Sequence, residues 1–148
     1  SMQQTERERR EAEKQAIRAE IRSCEDRIDE LNGVLGGLEQ KIAVQQEVQR
    51  NCANMNTEVE EAVARKRGHF QRMEQYVAHV KFLYGYQNQL YEFLDGRRAS
   101  DYRERMEAGR ERMEHIINAN IQRREELKRQ IAANHDKITK LYRKLGGI

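Results

Sequence analysis

A single heptad register runs from Ile17 to Leu94 and restricts this chain to long packed helices. Its apolar positions are Ile17, Ile21, Cys24, Ile28, Leu31, Leu35, Leu38 and Ile42, then Val59, Val63, Phe70, Met73, Val77, Val80, Tyr84, Tyr91 and Leu94. The alternating four- and three-residue steps describe a seam along one side of a helix, the pattern of helices packed lengthwise. A second seam follows through Met106, Met113, Ile117, Leu127, Ile131, Ile138, Leu141 and Leu145. Composition agrees. Proline, which removes a backbone donor and clashes with the preceding turn, is absent, and 36% of residues are charged. The 37% apolar fraction is low for a globule but sufficient for narrow seams. The fold class predicted is all-α: an elongated antiparallel helical hairpin, or coiled-coil-like bundle, with three helices if the first breaks.

Two places decide the helix count. The stretch Asn51 to Asn56 is poor in helix formers, and Thr57 with Glu60 has the spacing of a capping box, so 51–57 is a candidate break. The register nevertheless passes through it without a slip. The surer break is 94–99, where Gly96 can take the left-handed conformation that ends a helix and Ser100 can cap the next. Gly33, Gly36 and Gly37 weaken the first helix without shifting its phase, and they would let a partner helix approach closely. Residues 1–14 are charged, lack a stripe and read as a frayed or solvated start; 15–148 reads as one elongated helical domain. If the first helix is continuous to the 94–99 turn, it outreaches the second by roughly 30 to 40 residues at equal rise. The seam from Ile17 to Ile42 then lacks an intramolecular partner, which makes Ile17, Ile21, Ile28, Leu31, Leu35 and Leu38 candidate partner-binding residues. Phe82, Tyr86 and Phe93 form a second stripe beside the seam in a segment crowded with aromatics, which reads either as a wider intramolecular core near the hairpin tip or as further partner-binding residues.

Enzymatic chemistry is not expected. His69, His79, His115 and His135 do not share helix faces at metal-ligand spacing, and no histidine has a glutamate three residues before it. No phosphate-binding glycine loop, metalloprotease motif or nucleophile elbow occurs, so neither cofactor nor metal is predicted. The net charge of +3 is a mixed surface rather than one built for polyanions. Arg98, Arg105 and Arg112 do line one face, but Glu104, Glu107, Glu111 and Glu114 interleave with them, and Arg103–Glu107 and Arg110–Glu114 have ion-pair spacing. Nucleic acid is therefore not the expected partner. No stretch is apolar enough for a membrane span, and no signal peptide is visible. Cys24 and Cys52 both fall on the seam and read as small apolar fillers in a reducing compartment, or as a disulfide between parallel copies. Gln45, Gln49, Asn56, Asn120, Arg124 and Asn134 interrupt the seams. They either select partners or lie where the other helix leaves them exposed.

The turn Leu94-Asp95-Gly96, with Ala99 and then Tyr102 one turn into the next helix, resembles that of the WXG family, the small helical hairpins of type VII secretion. The Ile-rich second helix is similar to the longer relatives that accompany LXG toxins. Leu94 stands where the family has tryptophan, and the export pattern Tyr-x-x-x-Asp/Glu occurs only before the turn, at Tyr91 to Asp95. The resemblance implies a helper that binds the helical N-terminal domain of a toxin, or a second small helical helper. It implies a cytoplasmic protein, or one co-exported by a Gram-positive type VII system. Without that resemblance, the residues support a homo-oligomeric coiled-coil scaffold, with a homodimer as its simplest form.

Overall fold

In the computed structural model, residues 1–77, 89, 92 and 96–148 are described, without the side chains at 70, 73–77 and 97. Two long helices account for almost all of them: α1, Met2–Val77, and α2, Arg97–Gly146. The chain is all-α among the described residues. The Ser1 hydroxyl accepts a hydrogen bond from the Gln4 backbone N–H at the start of α1. Arg143 and Lys144 occupy the last turn of α2, where positive charge opposes the helix dipole.

The break at 51–57 on which the three-helix alternative depended is not observed: α1 passes through these residues without interruption. Thr57 does not cap a new helix. Its hydroxyl donates to the Ala53 carbonyl one turn back at 3.1 Å, a bond available inside a continuous helix. The seam supplies the larger reason: a break would end the run of inward positions, and Gln45, Gln49 and Asn56 are half-buried at the places the register assigns them. Residues 2–14 are the first turns of α1, solvent-facing and laced by Glu6–Arg10 and Glu11–Lys14 ion pairs.

The turn chemistry also differs from expectation. No described glycine has a positive φ, so Gly96 does not adopt the left-handed conformation. Its N–H donates to the Glu92 carbonyl at 2.9 Å and its carbonyl accepts from Ser100 N–H at 3.2 Å, helix-type bonds on both sides. Ser100 accordingly lies inside the first turn of α2 instead of capping it. What demands glycine is close approach: a Cβ at position 96 would overlap the Glu92 carbonyl oxygen.

The chain divides into two compact units, Ser1–Ala43 with Asn118–Ile148, and Val44–Ile117. In the first, the early turns of α1 meet the last turns of α2, as in a helical hairpin. Ile17, Ile21, Cys24 and Leu141 form a buried cluster with Ile138, Leu145 and Ile148 packed against it. Ile28, Leu31, Ile42 and Leu127 are buried in the same unit, Leu127 being 1% exposed. Burying each such side chain contributes roughly 1.5–3 kcal/mol. The expected absence of an intramolecular partner for Ile17 to Ile42 is thus overturned. That expectation counted pairing outward from Gly96. The observed meeting of positions 17–24 with 138–148 is a register that counting from Gly96 cannot produce.

Gly33, Gly36 and Gly37 lie in helix with nothing within 4 Å of where a Cβ would stand, so they serve no close approach within the chain. Gly37→Ala is therefore expected to raise stability by up to about 1 kcal/mol, read as a higher midpoint in urea unfolding followed by circular dichroism. Leu127→Ala is expected to lower stability by about 2–5 kcal/mol in the same measurement, because it leaves a cavity in the most enclosed position among the described residues.

Candidate interaction surface

Among the described residues, burial is distributed unequally between the units. Eight apolar side chains are buried in the first: Ile17, Ile21, Cys24, Ile28, Leu31, Ile42, Leu127 and Leu141. Among the described residues of Val44–Ile117 only Ile117 is buried, while Val44, Val48, Met55, Val59, Tyr102 and Ile116 are large apolar residues left exposed. Sequence explains the difference in part. The inward positions of α1 turn from Ile and Leu to Gln45, Gln49 and Asn56, and those of α2 here are Met106, Gly109 and Met113, all half-buried. Amide side chains opposite flexible thioethers cannot interlock as Ile against Leu does.

Two features result. One is a groove of about 830 Å³ within Val44–Ile117, lined from α1 by residues between Gln49 and Glu60 and from α2 by residues between Arg103 and Met113. Its apolar lining comes from Cys52, Ala53, Met106, Gly109 and Met113, and its polar rim holds Arg50, Arg103, Arg105 and Arg110 with Glu60 and Glu107. The second is an exposed stripe on α1. Val44, Val48, Cys52, Met55 and Val59 recur at steps of four, four, three and four, with Met55 63% and Val44 60% exposed. Between Lys41 and Glu58 the only charges are Glu47 and Arg50, in a chain that is 36% charged overall. A helix apolar on an inward seam and on an exposed stripe has two sides to cover.

The electrostatics are local. Arg103 Nε lies 3.5 Å from Glu60 Oε1, so this arginine bridges α2 to α1 instead of pairing with Glu107 along its own helix. Glu107 is held by Arg110 at 2.5 Å, and Arg110 also reaches Glu114 at 3.2 Å. The hydrogen bond from Arg110 holds the Glu107 carboxyl below the usual carboxylate range, and the Arg110 guanidinium is pushed up in turn. In the other unit, hydrogen bonds from Arg129 and then Gln130 lower the Glu126 carboxyl similarly. The charged side chains of these pairs remain open to solvent, so the pairs order side chains more than they stabilise the fold.

The sequence-predicted site residues fall into three groups. Ile17, Ile21, Ile28 and Leu31 are buried, and Leu35 and Leu38 half-buried, so these side chains already face the chain's own interior. Phe82, Tyr86, Phe93 and Leu94 lie outside the described residues. Of the rest of the turn motif, Gly96 and Ala99 are half-buried and Tyr102 is 40% exposed. Asn120, Arg124 and Asn134 are half-buried rather than freely exposed, and Asn134 donates to the Gln130 carbonyl of its own helix at 2.9 Å. Val44, Val48 and Met55 were missed by reading one seam at a time, and Val59 and Cys52, read as inward seam positions, are exposed; a second run of four- and three-residue steps in a charge-poor stretch was the signal that marked the stripe.

Among the described residues, no group of three or more His, Cys, Asp or Glu side chains is placed to hold a metal, and no helix is long and apolar enough to cross a membrane. No protein-family model, curated protein or solved structure matches this chain.

Both cysteines are free, but Cys24 is buried in the apolar cluster whereas Cys52 is exposed, contrary to an inward seam role. In the native protein one thiol is expected to react with iodoacetamide at the rate of an ordinary exposed cysteine. The other should be slowed by at least about a hundred-fold until denaturant is added, with peptide mass spectrometry assigning the fast site to Cys52. Equal rates at the two sites would contradict the burial of Cys24.

Proposed function

We propose that this chain is a non-enzymatic helical interaction protein that packs against partner helices through its Val44–Ile117 unit. One observation carries the reading: the unit buries a single apolar side chain among its described residues and leaves six large ones exposed. An exposed apolar surface of this kind gains stability when another helix covers it. The docking surface inferred is therefore the exposed α1 stripe and the groove, in place of the Ile17-to-Leu38 seam that α1 already buries.

Within that class, we read the chain as a helper or targeting factor for a type VII secretion effector of the LXG kind. It would bind the effector's helical N-terminal domain in the cytoplasm, with co-export as the extended form of the role. This finer reading is supported by the Leu94-Asp95-Gly96, Ala99 and Tyr102 resemblance. A homo-oligomeric scaffold is the second reading. It is favoured by the stripe itself, since Val44 and Val48 stand from Cys52 at nearly the same steps as Val59 and Met55, so two antiparallel copies present like spacing to each other.

Light scattering of the chain alone, and mixed with the helical domain of an LXG-type protein, separates the two. The helper reading expects a defined hetero-complex. The Val48→Glu/Met55→Glu double variant should weaken it by at least about ten-fold while moving the melting temperature little, because both positions are exposed. A stable homo-oligomer that ignores the effector domain and is lost in the same variant would establish the scaffold instead. A monomer that binds neither would overturn both.

A further inference from the structure

The rim of the groove carries more information than its apolar lining. Four arginines and two glutamates surround it. Both glutamates are already engaged, Glu60 by Arg103 at 3.5 Å and Glu107 by Arg110 at 2.5 Å. Among the described residues, neither Arg50 nor Arg105 has a carboxylate within ion-pair distance. One of these cations stands on α1 and the other on α2, and the apolar lining formed by Met106, Met113, Ala53 and Cys52 belongs to the same groove. The α1 stretch from Gln49 to Glu60 extends roughly 16 Å at helical rise, about three turns, which is the length over which a docked helix presents its anchors at i, i+3 or i+4, and i+7.

We propose that this groove receives an amphipathic helix whose apolar stripe is flanked by carboxylates. The inference rests on the reading that Val44–Ile117 docks helices, and it adds the partner's chemistry. The partner's apolar anchors cover the methionines, whose unbranched side chains adapt to an incoming surface. Its carboxylates meet Arg50 and Arg105, whose guanidinium groups bind a carboxylate through two parallel hydrogen bonds. A helix flanked by lysines would set like charge against these cations and is rejected on that account. Gly109 assists, because the space where its Cβ would stand is open to at least 4 Å.

Cys52 provides a reporter, since it is exposed and lines the groove. The full chain would be treated with iodoacetamide, an uncharged reagent, in the presence of either of two synthetic helical peptides about three heptads long. Both carry the same leucine stripe; one is flanked by glutamates and the other by lysines. The expected result is that the glutamate peptide slows Cys52 alkylation at a concentration at least about ten-fold below that needed by the lysine peptide, a preference that shrinks with added salt. The Arg50→Glu/Arg105→Glu variant, altered only at exposed positions, should reverse the preference. Equal protection by the two peptides, or a preference unchanged in that variant, would overturn the charge assignment while leaving helix docking intact. No protection of either protein by either peptide would overturn the groove as the docking site. The docking reading itself stands or falls separately, on the masses from light scattering.

Discussion

The Ile and Leu contact between the first turns of α1 and the last turns of α2 is the interaction on which the rest of this structure depends. Ile17, Ile21 and Cys24 close against Leu141, with Ile138, Leu145 and Ile148 around them. Helices of 76 and 50 residues have no stable reason to exist alone in water, since tertiary packing of an apolar side supplies most helical stability. Branched side chains opposite one another give that packing density, and Leu127 is enclosed almost completely within the same unit. The unit therefore also sets the pairing register of the two helices within it.

Val44–Ile117 is built from the same kind of helix with different inward residues, and the consequence is physical rather than decorative. Gln45, Gln49 and Asn56 keep the phase of the seam but bring polar groups to it, and Gln49 and Asn56 line one groove with Met106, Gly109 and Met113, whose side chains are soft or absent. On α1 the unit also carries an exposed stripe of Val44, Val48, Met55 and Val59, and Ile117 is the one buried apolar side chain among the described residues of the unit. Among the described residues, apolar burial is thus concentrated in the first unit, and exposed apolar side chains are more numerous in the second. Ion pairs follow this division without creating it. Arg103–Glu60 ties the two helices within Val44–Ile117, and most of the other pairs among the described residues join positions three or four apart on one helix.

Much of this was readable from residues. The all-α class, the inward positions from Ile17 to Ile42 and from Met106 to Leu145, and the continuity of phase across 51–57 all follow from one spacing rule, because a heptad repeat encodes which side of a helix is inward regardless of what it meets. Turn chemistry was less legible. Gly96 is compatible with a left-handed cap and with close backbone approach, and only its surroundings, the Glu92 carbonyl above all, distinguish the two. Thr57 was ambiguous for a similar reason: a hydroxyl that can cap a new helix can equally bond back to Ala53.

What the sequence determined by itself is the class of structure and the inward side of each helix, since periodicity is a property of one chain segment and needs no partner to be expressed. What only the tertiary structure decided is which segment covers which. Pairing two long seams admits many registers of nearly equal local quality, and the choice among them turns on contacts between residues far apart in the chain, such as Ile17 to Cys24 with Ile138 to Ile148. That choice moved the candidate site. It buried the Ile17-to-Leu31 positions that sequence alone offered to a partner, and it left apolar side chains exposed on the stripe and in the groove between Val44 and Ile117.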